Sequence, residues 1–66
     1  MNLIVNGEEK TFDANSTLQT IIDKLKIEEK VMAAAVNMEI VKKEQWNSYQ
    51  PKENDKLELL QFVGGG

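Results

Sequence analysis

The chain has 66 residues, eleven acids against eight lysines and a formal net charge of -3, which bounds it to one small domain near the lower size at which a single apolar core holds unaided. Its 41% hydrophobic and 29% charged composition is globular rather than disordered, and with no cysteine and no histidine it lacks a thiol nucleophile, an imidazole base and the usual zinc ligands. A self-contained enzyme is therefore not expected, and the absence of arginine and of any basic patch disfavours nucleic-acid binding.

Met1, Leu3 and Val5 alternate with Asn2 and Ile4, the period-2 pattern of a strand, and Asn6-Gly7 then supplies a two-residue hairpin turn of type I′. The return strand is predicted from Glu8 to about Phe12, with Phe12 as its core anchor. Ile4 faces away from the Met1/Leu3/Val5 side and is left on the outer surface of the sheet. Asp13-Ala14-Asn15 breaks the alternation, and Ser16-Thr17-Leu18-Gln19 reads as a capping box with Ser16 and Gln19 as its reciprocal pair. Leu18, Ile21, Ile22 and Leu25 follow at i, i+3, i+4 and i+7, one apolar helical stripe. Lys24 and Lys26 suit the negative end of that helix's dipole, and Ile27 is expected to fold back on the stripe. Glu28-Glu29-Lys30 is a polar connection.

From Val31 the chain turns apolar, and Asn37-Met38 separates Ala34-Ala35-Val36 from Ile40-Val41 in the manner of a second hairpin. Met38 lacks glycine's tolerance of positive φ, so a wider turn or another turn type is an alternative there. Lys42 to Tyr49 is predicted to be irregular or briefly helical, with Trp46 covering one end of the core. Pro51 to Asp55 carries turn chemistry, and Lys56 to Phe62 forms the last strand. Leu57 and Leu59 lie on one face of it, with Leu60 and Phe62 on the other. Together with Ile4 they form a candidate exposed patch for partner docking.

The order strand, strand, helix, strand, strand predicts an α+β fold of the β-grasp type, a mixed four- to five-stranded sheet crossed by one main helix. Residues 1–62 form the domain, and 63–66 are expected to be a flexible glycine tail. Such ends are commonly frayed. Here, however, the last strand runs straight into Gly64-Gly65-Gly66, three residues without side chains that could enter a narrow slot and reach about 10 Å. The longest apolar run, Val31 to Val36, is too short to span a bilayer, and Met1-Asn2-Leu3 lacks a signal-peptide pattern. The expected location is the cytoplasm.

Val5-Asn6-Gly7, Ser16-Thr17-Leu18, Val36-Asn37, Glu39-Ile40-Val41, Glu44-Gln45-Trp46, Asn54-Asp55 and the Gly65-Gly66 end in this order resemble the ThiS family, the ubiquitin-like sulfur carriers of bacterial thiamine biosynthesis. The resemblance covers essentially the whole chain. Met38 stands where that family often has glycine, Lys42 where it often has proline, and Asn54 where glycine often precedes Asp55. The resemblance implies that Gly66 is the acceptor, adenylated at its carboxylate and converted to a thiocarboxylate. Gly64 and Gly65 would thread into partner sites, with Ile4, Leu60 and Phe62 as docking residues. The implied partners are a ThiF-like adenylyltransferase using ATP and magnesium, a cysteine desulfurase or other persulfide donor, and a ThiG-like thiazole synthase. No cofactor or metal is expected on this chain itself. The residues leave open a sulfur carrier of another pathway, such as the small subunit of molybdopterin synthase, a ubiquitin-like protein modifier, and a noncovalent β-grasp adaptor.

Overall fold

A computed structural model describes residues 1–27 and 29–62. The alternation of the first residues produces β1 (Asn2–Val5) and β2 (Glu8–Thr11), paired antiparallel with Val5 opposite Glu8. Asn6 and Gly7 have φ of 49° and 85°, so both central residues of the turn meet the positive-φ requirement of type I′. Met1 and Phe12 exchange backbone hydrogen bonds of 2.8 Å just beyond the strands, and Phe12 is buried as expected.

Helix α1 spans Leu18–Lys24 and is capped one residue later than the sequence pattern suggests. Thr17, not Ser16, is the N-cap. The Thr20 backbone N–H donates to Thr17 Oγ1, and the Thr17 N–H donates to Thr20 Oγ1, so Thr20 takes the reciprocal role assigned to Gln19. Ser16 is instead buried. The N–H groups of Leu18 and Gln19 donate to the carbonyls of Tyr49 and Trp46 at 2.8 and 3.0 Å. This satisfies donors that a helix start leaves without intrahelical partners. At the other end Lys26 adopts φ 59°. Its N–H donates to Asp23 O, and that of Ile27 donates to Ile22 O. This is a Schellman closure with lysine where glycine is usual, and it folds Ile27 back onto the core as expected.

β3 (Val31–Val36) and β4 (Glu39–Val41) form the second hairpin, with Val36 opposite Glu39. Its turn is the two-residue type I′ after all: Asn37 has φ 50° and Met38 φ 72°. β3 carries a register shift between Val31 and Ala33, leaving Met32 as an extra residue opposite β5. Such a bulge changes the parity of the strand, and it is why Val31 faces the core together with Ala34 and Val36 although the spacing is odd. A short 3-10 turn, Lys43–Gln45, then leads to Trp46. That side chain is buried and donates its Nε1–H to Val41 O at 2.9 Å, confirming its structural place.

β5 spans Lys56–Gln61, ending one residue before Phe62. The sheet order is β2-β1-β5-β3-β4, with β5 parallel to β1 and antiparallel to β3. The last strand is thus the central one. The core lies between the helix and one sheet face, where Leu18, Ile21 and Ile22 join Leu3, Val5, Leu57, Leu59 and Trp46. Leu25 is half-buried at its edge. Among the described residues no helix is long and apolar enough to cross a membrane.

Candidate functional site

The outer face of the sheet carries the candidate site. Along β5, Leu57 and Leu59 point into the core, so Lys56, Glu58 and Leu60 point outward, and Leu60 and Phe62 are both exposed. Register places Ala33 opposite Leu60 and Ala35 opposite Glu58 on β3, and Ile40 of β4 opposite Ala35. Leu60, Ala33, Ala35 and Ile40 therefore line one shallow apolar hollow of about 340 Å³, bounded by Glu58 and Asn6. The small alanines leave the depression, and the larger Leu60 and Ile40 form its walls.

Ile4 is on the outer face as expected but is half-buried there rather than exposed, and it stands apart from Leu60. It pairs in register with Lys56 and lines a second hollow with Gly7, Met38, Lys56 and Glu58. Glu58 thus sits between the two apolar areas. The single patch of Ile4, Leu60 and Phe62 becomes two hollows sharing one acid. The residues that complete the Leu60 area, Ala33, Ala35 and Ile40, were not singled out by the sequence. For the two alanines the signal lay in the alternation within Val31–Val36, which the bulge at Met32 conceals.

Phe62 is held by its backbone, its N–H donating to Lys30 O at 2.6 Å. This bond continues the β3 side of β5 to the last described residue. The predicted acceptor Gly66 and the threading residues Gly64 and Gly65 lie outside the described residues. Among the described residues no group of three or more acids could hold a metal ion, and every buried side-chain polar atom has a hydrogen-bond partner. The Tyr49 phenol is pushed above its ordinary range by burial and then by the Asp55 and Glu39 carboxylates. It is neutral at physiological pH.

The three departures from the family pattern fall where the backbone still adopts the conformation that the family's residues favour. Met38 and Asn54 have φ of 72° and 69°, which suits glycine. Lys42 has φ -66° and ψ 147°, which suits proline.

A mixed sheet crossed by one helix, with the chain's final strand at its centre, defines a small ubiquitin-like protein of the β-grasp fold. A family model described as the ThiS family matches residues 3–66, and the chain belongs to that family. A crystal structure of the thiamine biosynthesis protein ThiS from Geobacter metallireducens superposes with a TM-score of 0.81 at 33% identity, covering all of both chains. The sulfur carrier protein ThiS of Escherichia coli is 27% identical over the full length of both. A thiazole synthase of Paramagnetospirillum magneticum is 36% identical over all 66 residues, which make up only 20% of that larger protein.

Proposed function

We propose that this chain carries sulfur on the carboxylate of Gly66 and delivers it to thiazole formation. As a member of the ThiS family it is a sulfur carrier of thiamine biosynthesis, a protein co-substrate and not a catalyst. The observation that supports the reading most directly is the family match itself, which runs to residue 66 and so includes the glycine end.

The chemistry explains the need for partners. A C-terminal carboxylate, with an ordinary pKa of about 3.5, is an anion at neutral pH and a poor electrophile. A ThiF-like adenylyltransferase with ATP and magnesium would attach AMP to it and release pyrophosphate. The terminal sulfur of a persulfide donor would then attack the acyl carbon, expelling AMP and leaving the carrier joined to the donor through a disulfide. A second thiol would break that bond by exchange, freeing the Gly66 thiocarboxylate. The larger relative named as a thiazole synthase contains a stretch similar to this whole chain, which supports a thiazole synthase as the receiver. Leu60 and Phe62, with Ala33, Ala35 and Ile40 beside them and Ile4 across Glu58, offer the apolar docking face. Gly64 and Gly65 would thread the end into buried sites.

The test is incubation with ATP, magnesium, the activating enzyme and a persulfide donor, followed by intact-mass measurement. The expected product gains the mass of an oxygen-to-sulfur exchange at the terminus. A carrier of unchanged mass in the presence of an active enzyme would reject the reading, and isopeptide conjugates to lysines of other proteins would indicate a modifier instead.

A further inference from the structure

We propose that Asn6 is a positioning residue for sulfur loading, fixing the outgoing half of β5 at Leu59, the strand from which the chain continues to Gly66. The inference rests on the carrier reading, because it concerns how the Gly66 end is presented.

The backbone ladder between β1 and β5 is short. Ile4 N–H donates to Asp55 O at 3.0 Å, Asn6 N–H donates to Leu57 O at 2.9 Å, and then the chain turns away through Asn6 and Gly7 toward β2. A parallel neighbour that leaves at this point would expose the β1 side of β5 from Leu59 onward. The side-chain amide of Asn6 occupies that place. Its Oδ1 accepts the Leu59 N–H at 2.8 Å and its Nδ2 donates to Leu59 O at 3.2 Å. One side chain thus supplies both halves of a strand pairing to a residue 53 positions away, and continues the ladder one step past the end of β1. Only a primary amide presents an acceptor and a donor side by side in this way.

The second hairpin provides an internal contrast. Asn37 occupies the equivalent first turn position, with φ 50° against 49° for Asn6. It also reaches β5, its Oδ1 accepting the Lys56 N–H at 3.0 Å and its Nδ2 donating to Asp55 Oδ1 at 3.0 Å. The central strand is therefore held by an asparagine from each flanking hairpin, at its start by Asn37 and near its exit by Asn6. The two turns are alike in φ at their first position, and they differ in which end of β5 they grip and in that Asn6 alone pairs with both backbone groups of one residue. The grip at Leu59 is the one next to Leu60 and the C-terminal end of β5.

The experiment compares Asn6→Gly with Asn37→Gly. Glycine keeps the positive φ of either turn, so each variant loses the side-chain amide and retains the hairpin. The adenylation kinetics of both, with the activating enzyme and ATP, are measured at a temperature where circular dichroism shows both folded. Misplacement of a reacting group by about an ångström can lower a rate a hundredfold. Asn6→Gly is expected to lower kcat by about ten- to a hundredfold with KM changed little, because Leu60 and Ile40, the apolar walls of the docking hollow, are untouched. Asn37→Gly is expected to leave kcat within about twofold of the parent. Amide exchange at Leu59 should accelerate in Asn6→Gly alone. Equal kcat for parent and Asn6→Gly, an equal fall in both variants, or unchanged Leu59 exchange would each overturn the positioning role. Failure of the unsubstituted chain to be adenylated would instead overturn the carrier reading beneath it.

Discussion

Leu59 and Leu60 are consecutive residues of β5 that face opposite ways, the first 4% exposed within the core and the second 62% exposed on the outer sheet face. The same strand therefore serves stability with one side and offers the other to the proposed docking. Leu59→Ala removes buried methyl groups from a domain with one small core, and Leu18→Ala does the same from the helix side. Each is expected to cost about 2 to 5 kcal/mol. Urea denaturation followed by circular dichroism measures this, and a midpoint matching the parent's would refute the core assignment.

Leu60→Glu has the opposite profile. The side chain contributes little to the core, so stability is expected to change by about 0.5 kcal/mol or less. Adding a second acid beside Glu58 to an apolar hollow should weaken binding to the activating enzyme by about tenfold or more. Ile40→Glu is expected to act in the same direction, since Ile40 forms the other wall of that hollow. Titration calorimetry decides the matter: affinity equal to the parent's for both variants would remove the docking assignment.

How much of this was legible in the sequence depends on how local the cause is. The hairpins, the helix stripe and the outward-facing Leu60 follow from spacing within a few residues. The capping pair moved by one position because Ser16 and Thr17 are both good N-caps, and only the buried environment of Ser16 decides between them. Met32 could not be read as a bulge, because Val31–Val36 is apolar nearly throughout and its parity depends on pairing with β5. The separation of Ile4 from Leu60 arises in the same way: Glu58 comes between them only once β1 and β5 lie side by side. The Asn6 amide reads as turn chemistry in the sequence, and its bonds to Leu59 exist only in the folded sheet.

Met38 is 87% exposed and adopts φ 72°, a conformation that costs a residue with a side chain about 1 kcal/mol or more. Met38→Gly relieves that strain, partly offset by the greater freedom glycine has in the unfolded chain. The net expectation is a gain of about 0.5 kcal/mol, or roughly 2 to 4 °C in Tm for a domain of this size. Thermal denaturation checks it, and a lower Tm would show that the Met38 side chain contributes more through the hollow it shares with Ile4 than it loses in the turn.

Trp46 joins two parts of the fold. Its indole N–H reaches Val41 O, while its own carbonyl accepts the Gln19 N–H at the helix start. Trp46→Phe keeps an aromatic ring but leaves the Val41 carbonyl without its indole donor and a space where the larger ring lay. The expected loss is about 2 to 4 kcal/mol, read as a shifted urea midpoint with an unchanged slope. Loss of less than about 0.5 kcal/mol would mean that water or a shifted backbone replaces the indole at little cost.

The glycine end should separate from all of these. The core residues and sheet bonds described above lie within residues 1–62, so deleting Gly66 or replacing Gly65 with valine is expected to leave the Tm within about 2 °C of the parent's. Both changes should nevertheless abolish the mass gain on incubation with activating enzyme and sulfur donor. Deletion shortens the chain before the carboxylate by one residue, and valine adds a branched, stiff side chain to the segment proposed to thread into partner sites. Circular dichroism and intact mass, taken on the same samples, test the two halves together. A large fall in Tm would show that the tail packs against the domain, and undiminished sulfur transfer by Gly65→Val would show that the receiving site is wider than three bare glycines suggest.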